Sequence, residues 1–241
     1  MEQVTKDNHE WFQEWANEYD NTLGKVKRHH KMLDLVVTVS GIKRNDRILD
    51  IGCGTGLLSL KFLNKADCTI TAIDSSAQML KIFQEKIETF NLTEKIHCAQ
   101  KLAEDMDFQS HQFDIIAATV ALHHVKVKEP VIKNIYDYLE DGGRFVIGEI
   151  DMDTTGKPDD PKRLVRILNY LTDEFELAME EGGIPAFERM YDNGKKHILN
   201  DGEYCIGFGQ WEKLCRDAGF NDVQVRPVKG FEWFKVLVAT K

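Results

Sequence analysis

The chain reads as an α/β protein built on a mostly parallel sheet, and three observations carry that reading. Short β-rich runs alternate with amphipathic helical stretches from residue 46 to 150, the pattern of βαβ units. The run 113–118, Phe-Asp-Ile-Ile-Ala-Ala, is apolar almost throughout, as a strand covered on both faces must be. The last two β-rich runs, 223–228 and 231–239, are joined by a link too short for a helical crossover, so they pair antiparallel.

Taken in order, residues 9–20 place Trp11, Trp15 and Tyr19 at i, i+4 and i+8, one face of a helix. That helix either packs on the domain or lies across a ligand cleft as an aromatic wall. A second helix at 25–40 carries the apolar stripe Met32, Leu35, Val36 and Val39, and Gly41 ends it. The first strand, 47–51, runs through Asp50 into Gly52-Cys53-Gly54-Thr55-Gly56 and then a helix over 56–65. The second strand, 68–73, ends at Asp74, and Ser75 is the expected cap of a helix reaching about residue 90. A third strand at 95–99, a polar connection at 101–112, the strand at 113–118 and a helix at 130–139 follow. Asp141-Gly142-Gly143 is the expected turn into a fifth strand, 144–150.

The alternation then breaks. Residues 151–209 hold no convincing strand but a helix at 162–181 with Leu164, Ile167, Leu168, Leu171, Phe175 and Met179 at helical spacing. Gly182-Gly183-Ile184-Pro185 is the expected stop, with a shorter helix through Met190. This block is read as a helical cap inserted above the sheet. A helix at 210–218 and the antiparallel pair close the chain. The expected organisation is one domain over 1–241: N-terminal helices at 1–41, a ligand-binding core at 42–150, the cap at 151–209 and a completing segment at 210–241.

Composition narrows the function classes. A formal net charge of −9 and a pI near 5.4 argue against nucleic acid held by general phosphate attraction. The basic cluster around Lys25 to Lys31 is read as a solvated helix face. No apolar run approaches the ~20 residues of a membrane span. Five cysteines at 53, 68, 98, 205 and 215 form no C-x-x-C pair, which disfavours a disulfide framework or structural zinc. A reduced, cytoplasmic setting is the expectation.

In an open parallel sheet, ligands bind beyond the carboxyl ends of the strands. Gly52, Gly54 and Gly56 lie there, where a Cβ would clash or hold a ligand away. Asp74 ends the next strand twenty positions after Gly54, the spacing at which an acid accepts hydrogen bonds from a ribose diol. Together they point to an adenosine-containing cofactor. Dinucleotide turns read G-x-G-x-x-G, whereas this one reads G-x-G-x-G after Asp50. An acid there repels a pyrophosphate and suits the ammonium of a methionine moiety. No G-x-x-x-x-G-K-[ST] sequence is present.

The segment Ile48-Leu-Asp-Ile-Gly-Cys-Gly-Thr-Gly56 resembles the first motif of the class I S-adenosylmethionine-dependent methyltransferases. The likeness extends to Asp74, Leu102-Ala-Glu-Asp-Met-Asp-Phe108, Leu122-His-His-Val125, Trp211, Ala218-Gly219-Phe220 and the final hairpin. The branch most similar is the small-molecule enzymes related to ubiquinone and menaquinone biosynthesis methyltransferases. The resemblance implies a Rossmann-like three-layer sandwich whose seven-stranded sheet has strand seven antiparallel. It implies S-adenosylmethionine held by Asp50, Gly52, Cys53, Gly54 and Gly56, with Asp74 on the ribose. Ser75 and Met79 would flank the adenine, Ala103 and Glu104 meet its edge, Ala118 lie near the methionine part, and Tyr19 be the aromatic residue over the cofactor. Many relatives carry an acid where this chain has Leu102.

For methyl transfer, His123 and His124 follow strand four on the ligand side, and His123 is the candidate general base. Adjacent side chains are not expected to share one pocket, so His124 is placed only as a substrate contact or loop-shaping residue. Glu149 and Asp151 end strand five as candidate substrate contacts. Trp11, Trp15, Tyr170, Tyr191, Tyr204 and Trp233 are candidate walls for a small-molecule acceptor. Thr119 stands where metal-assisted transfer would want an acid, so no metal is expected. The competing reading is a non-catalytic S-adenosylmethionine-binding regulatory module, which would have no acceptor pocket.

Overall fold

The computed structural model describes residues 16, 19, 20, 26–157, 159–201 and 203–241. Trp11 and Trp15 lie outside the described residues. The elements are α1 (Lys27–Ser40), β1 (Arg47–Ile51), α2 (Leu57–Lys65), β2 (Thr69–Asp74), α3 (Ala77–Thr89), β3 (Ile96–Gln100), β4 (Phe113–Thr119), α4 (Lys128–Tyr138), β5 (Leu139–Ile150), α5 (Pro161–Asn193), α6 (Phe208–Ala218), β6 (Asp222–Val228) and β7 (Phe231–Thr240). Short 3-10 turns lie at Ala103–Asp105 and Leu122–His124, and a π-helical stretch at Gly194–Asp201 follows α5.

The strands form one seven-stranded sheet in the order β3-β2-β1-β4-β5-β7-β6. β1 pairs in parallel with both β2 and β4, and β7 runs antiparallel between β5 and β6. The strand order therefore reverses at β1, and the crevice beyond the ends of β1 and β4 is the natural ligand site of such a sheet. Side chains alternate along each strand: Ile48, Ile115, Val146 and Val236 face one core, with Leu49, Ile116, Phe145, Ile147 and Leu237 facing the other. The first core is covered by α1, α2, α3 and the start of α5, the second by α4 and α6. The strands read as apolar runs because neither face of the sheet meets water.

Two local features depart from the sequence reading. The cap of α3 is Ser76, whose Oγ accepts from the Met79 N–H at 3.3 Å. Ser75 is displaced from that role because Asp74 captures the Ser76 N–H at 2.8 Å and lengthens the turn by one residue. Asp141-Gly142-Gly143 is a bulge inside β5 and no turn ahead of it, since Leu139 already pairs with Phe113 before Arg144 pairs with Ile115. The glycine–proline stretch of the cap interrupts the helix as the sequence reading has it: Gly183 (φ 64°, ψ −157°) is non-helical, and α5 is two helical segments meeting at a kink there. Pro185 then sits in the first turn of the second segment, where its missing N–H costs nothing.

α5 is tied to α1 by a buried ion pair. The Arg28 guanidinium donates to Glu174 and lies 4.4 Å over the Phe234 ring. Arg28 and Glu174 are 7% and 3% exposed, so neither charge has water to fall back on. Removing one partner of such a pair costs about 3–5 kcal/mol, whereas replacing both by apolar groups is far milder. Arg28→Ala is expected to lower unfolding stability by about 3 kcal/mol. Arg28→Met with Glu174→Leu should recover most of that loss in the same urea titration.

Candidate active site

The chain turns out of β1 through three glycines with positive φ, Gly52 at 68°, Gly54 at 53° and Gly56 at 87°. Each serves a different end. A Cβ on Gly52 would meet the Ala121 Cβ at 2.4 Å, and one on Gly56 would meet the Phe83 ring at 2.0 Å. These two let the turn sit under the loop after β4 and against α3. A Cβ on Gly54 would meet nothing within 4 Å. Gly54 is therefore the position that presents bare backbone to open space at the strand ends, where a ligand lies in sheets of this kind.

Asp74, at the end of β2, reaches back to this turn. Its Oδ2 accepts the Gly54 N–H at 2.8 Å while Oδ1 accepts the Ser76 N–H at 2.8 Å. A carboxylate oxygen has capacity beyond one hydrogen bond, so the same group can still accept from hydroxyls. The turn is clasped from above by Asp20, which accepts from the Thr55 hydroxyl at 2.6 Å and pairs with Lys86 at 2.5 Å. Lys86 also donates to the Thr55 carbonyl at 2.8 Å. Tyr19 beside it has its phenol pushed up by burial, reinforced by the charges of Asp74 and Asp20.

Asp50 sits beneath the turn, 1% exposed, and accepts from the Ser59 hydroxyl at 2.6 Å. No cation pairs with it among the described residues. Burial raises its pKa from 3.8 to about 7, with Asp74 adding to the rise. A buried acid of this kind is a receptor for positive charge. Cys53 is buried between them and its thiol is pushed up, chiefly by burial. Met79 is buried in the first turn of α3, Ala103 packs on the second core and Ala118 is wholly buried there. Glu104 and Leu102 are exposed beside them.

On the other side of β1, Glu149 organises the loop after β4. Its Oε1 accepts the N–H groups of Ala121, Leu122 and His123 at 3.0, 2.9 and 3.3 Å. Its Oε2 lies 2.8 Å from the His123 Nδ1. This network assigns the proton on Nδ1 to the bond with Glu149 and turns Nε2 outward. Nε2 faces the Glu203 carboxylate at 3.9 Å. Burial alone would lower the His123 pKa, but the Glu149 carboxylate outweighs it and the net shift is upward. For Glu149 burial would raise the pKa, yet His123 and the N–H groups hold it below its usual range.

His124 also joins this site, which corrects the sequence reading. The two imidazoles lie 4.1 Å apart, and ring nitrogens of both fall within 4.8 Å of the Glu203 carboxylate. The tight 3-10 turn at Leu122–His124 brings neighbouring side chains to one side. Glu203 carried no motif, and its arrival depends on a strained turn in which Glu203 and Tyr204 have φ of 44° and 47°. Lys128 supports that turn by donating to the carbonyls of Val125 and Tyr204 at 2.5 and 2.7 Å.

Other predicted contacts do structural work. Asp151 accepts the Phe208 N–H at 2.8 Å and pairs with Lys235, anchoring α6 and β7. Trp233 donates to Asp173 at 2.5 Å and packs edge-on against Tyr170. Tyr204 is half-buried near Lys126, whereas Tyr191 stacks among Phe175 and Phe187 on the cap.

Residues 48–143 match the family profile described as a methyltransferase domain. The ubiquinone/menaquinone biosynthesis C-methyltransferase of Pectobacterium atrosepticum is 31% identical over 144 residues, 58% of this chain and 57% of that protein. Its counterpart from Escherichia fergusonii is 30% identical over 142 residues, 57% of each chain. The chain thus matches a little over half the length of these curated relatives. Among solved structures, a S-adenosyl-L-methionine-dependent methyltransferase of Methanococcus maripaludis superposes with a TM-score of 0.64 at 18% identity, covering 95% of this chain and 93% of that one. Phosphoethanolamine N-methyltransferase 2 of Haemonchus contortus, solved with S-adenosyl-L-methionine, gives 0.62 at 14% identity over 95% and 60% of the two chains. These likenesses show the fold.

The Asp50 environment has a measurable consequence. Unfolded, the group titrates near 3.8, and folded near 7. Between those values the folded chain holds the extra proton, so this group's contribution falls as pH rises and is fully unfavourable above about 7. Asp50→Asn is therefore expected to match the parent's stability near pH 4. At pH 8 it should exceed the parent by on the order of 2 kcal/mol in ligand-free denaturant melts.

Proposed function

We propose that this chain, which carries a class I S-adenosylmethionine-dependent methyltransferase domain akin to the ubiquinone/menaquinone C-methyltransferases, transfers a methyl group to a small-molecule acceptor. The observation that carries the reading is the placement of two sets of polar groups at the strand ends where strand order reverses. The open Gly54 backbone, Asp74 and the cation-seeking Asp50 lie on one side of β1, and the Glu149–His123 pair on the other.

S-adenosylmethionine, when bound, supplies a methyl group already activated on a sulfonium. The chain's own residues then have to align the acceptor and exclude water. Asp74 offers its remaining lone pairs to the ribose hydroxyls, and Gly54 lets them approach the backbone. Asp50 answers the ammonium of the methionine moiety, directly or through water, and the cation offsets the cost of its buried charge. Met79, Ser75, Ala103 and Glu104 border the adenine, and Tyr19, Cys53 and Ala118 the remainder. His123, oriented by Glu149 at Nδ1, takes the acceptor's proton at Nε2, as an imidazole braced by a carboxylate does. Its raised pKa makes it a stronger base than a free imidazole, so turnover should rise as pH passes above 6.5. Transfer is read as independent of metal, with turnover unchanged by a chelator as the expected result. A cytoplasmic setting belongs to the same reading, supported by five cysteines that all stay free.

Calorimetry with S-adenosylmethionine and a screen of small acceptors for S-adenosylhomocysteine release test this. Asp74→Ala is expected to cost about 1–3 kcal/mol of cofactor affinity, and unchanged affinity would remove the ribose role. His123→Ala should lower kcat by about 100-fold or more while the cofactor Kd holds. Equal turnover in variant and parent would take His123 out of the mechanism.

A further inference from the structure

Arg163 lies in the first turn of α5 and is 3% exposed. Its Nε donates to the Thr154 carbonyl at 2.8 Å, and its Nη1 is buried with no hydrogen-bond partner among the described residues. Among the described residues no carboxylate pairs with it. The contrast with Arg28, equally buried but matched to Glu174 and Phe234, is direct. A buried guanidinium without a counter-charge is costly and calls for an anion. The setting favours one: Pro161–Asn193 is a long helix, and its N-terminal turn carries the positive end of the helix dipole.

Hydrogen bonds link Arg163 to the turn that carries Glu203. Thr154, its partner, is locked to Cys205 through both its N–H (3.1 Å) and its hydroxyl (3.2 Å). Cys205 lies within electrostatic reach of Glu203 and Glu149, the two carboxylates that flank His123. Arg163 is therefore linked through Thr154 to the strained turn that carries Glu203.

We propose that Arg163 anchors an oxyanion, a carboxylate or phosphate carried by the methyl acceptor, and so selects acidic acceptors. The guanidinium fork suits either group, since both present paired oxygens. The assignment of the anion to an acceptor rests on the methyltransferase reading, whereas the anion subsite itself does not.

The test follows melting of the full chain in sodium phosphate, sodium benzoate and sodium chloride at equal ionic strength. Phosphate or benzoate should raise the melting temperature saturably above chloride, and the arm that does so identifies the group. Arg163→Gln should abolish that rise while melting no lower than the parent in chloride, because it removes an unpaired buried charge. Arg163→Lys, which keeps the charge and loses the fork, should bind the responding anion about 10- to 100-fold more weakly. No anion-specific rise in the parent would overturn the proposal. A several-degree loss in Arg163→Gln with the anion response intact, or an unweakened response in Arg163→Lys, would do the same. Calorimetry with S-adenosylmethionine on the same samples separates the two claims. Parent chain that fails to bind it sinks the methyltransferase reading and leaves the anion response standing.

Discussion

A single buried carboxylate, Glu149, holds the loop after β4 in shape. One of its oxygens collects three successive backbone N–H groups from the loop after β4, and the other takes the His123 Nδ1. With 1% of its surface exposed, the group has no solvent alternative, so the loop must fold where the carboxylate is. Asp74 does the same for the turn after β1, gathering Gly54 and Ser76. Two acids at strand ends thus fix the loops flanking the point where strand order reverses. The crevice between them is preorganised, and donors and acceptors there need little rearrangement to act.

The charges that face the crevice differ in how they are satisfied, and that difference sorts their roles. Glu149 is held low in pKa by its partners, and His123 is held high by Glu149. In stability terms, Glu149 contributes fully above about 4.5, and His123 contributes fully below about 6.5. Each contribution falls between the ordinary and the shifted pKa and is gone beyond the shifted one, so that of Glu149 is lost on acidification and that of His123 as pH rises above 6.5. Among the described residues Asp50 has no cationic partner and is pushed up to about 7 by burial, and Arg163 has no carboxylate partner. Groups that the fold leaves short of a partner are the ones whose cost a ligand can offset.

Residues given similar duties in the sequence reading separate in space. Asp151 and Trp233 bind α6, β7 and α5 together, and Ser76 replaces Ser75 as the cap of α3. His124 moves the other way, into the site beside His123, because a 3-10 turn does not obey strand alternation. Glu203, Lys128 and Arg163 come from ordinary polar sequence with no spacing to flag them. Their positions follow from a left-handed turn at 203–204, a buried lysine that meets carbonyls, and the first turn of a helix packed from afar.

What the sequence by itself determined is local and periodic. Alternating apolar runs defined the parallel sheet, three glycines after an acid defined the turn, and the short final link required an antiparallel pair. Each rests on backbone geometry between near neighbours, which residue order specifies directly. What only the tertiary structure decided is long-range: which carboxylate braces His123, that Glu203 reaches its Nε2, and that Arg28 finds Glu174 while Arg163 finds no acid among the described residues. Those outcomes depend on how the cap lies against the sheet. That packing is set by the summed burial of many side chains, and no single spacing records it.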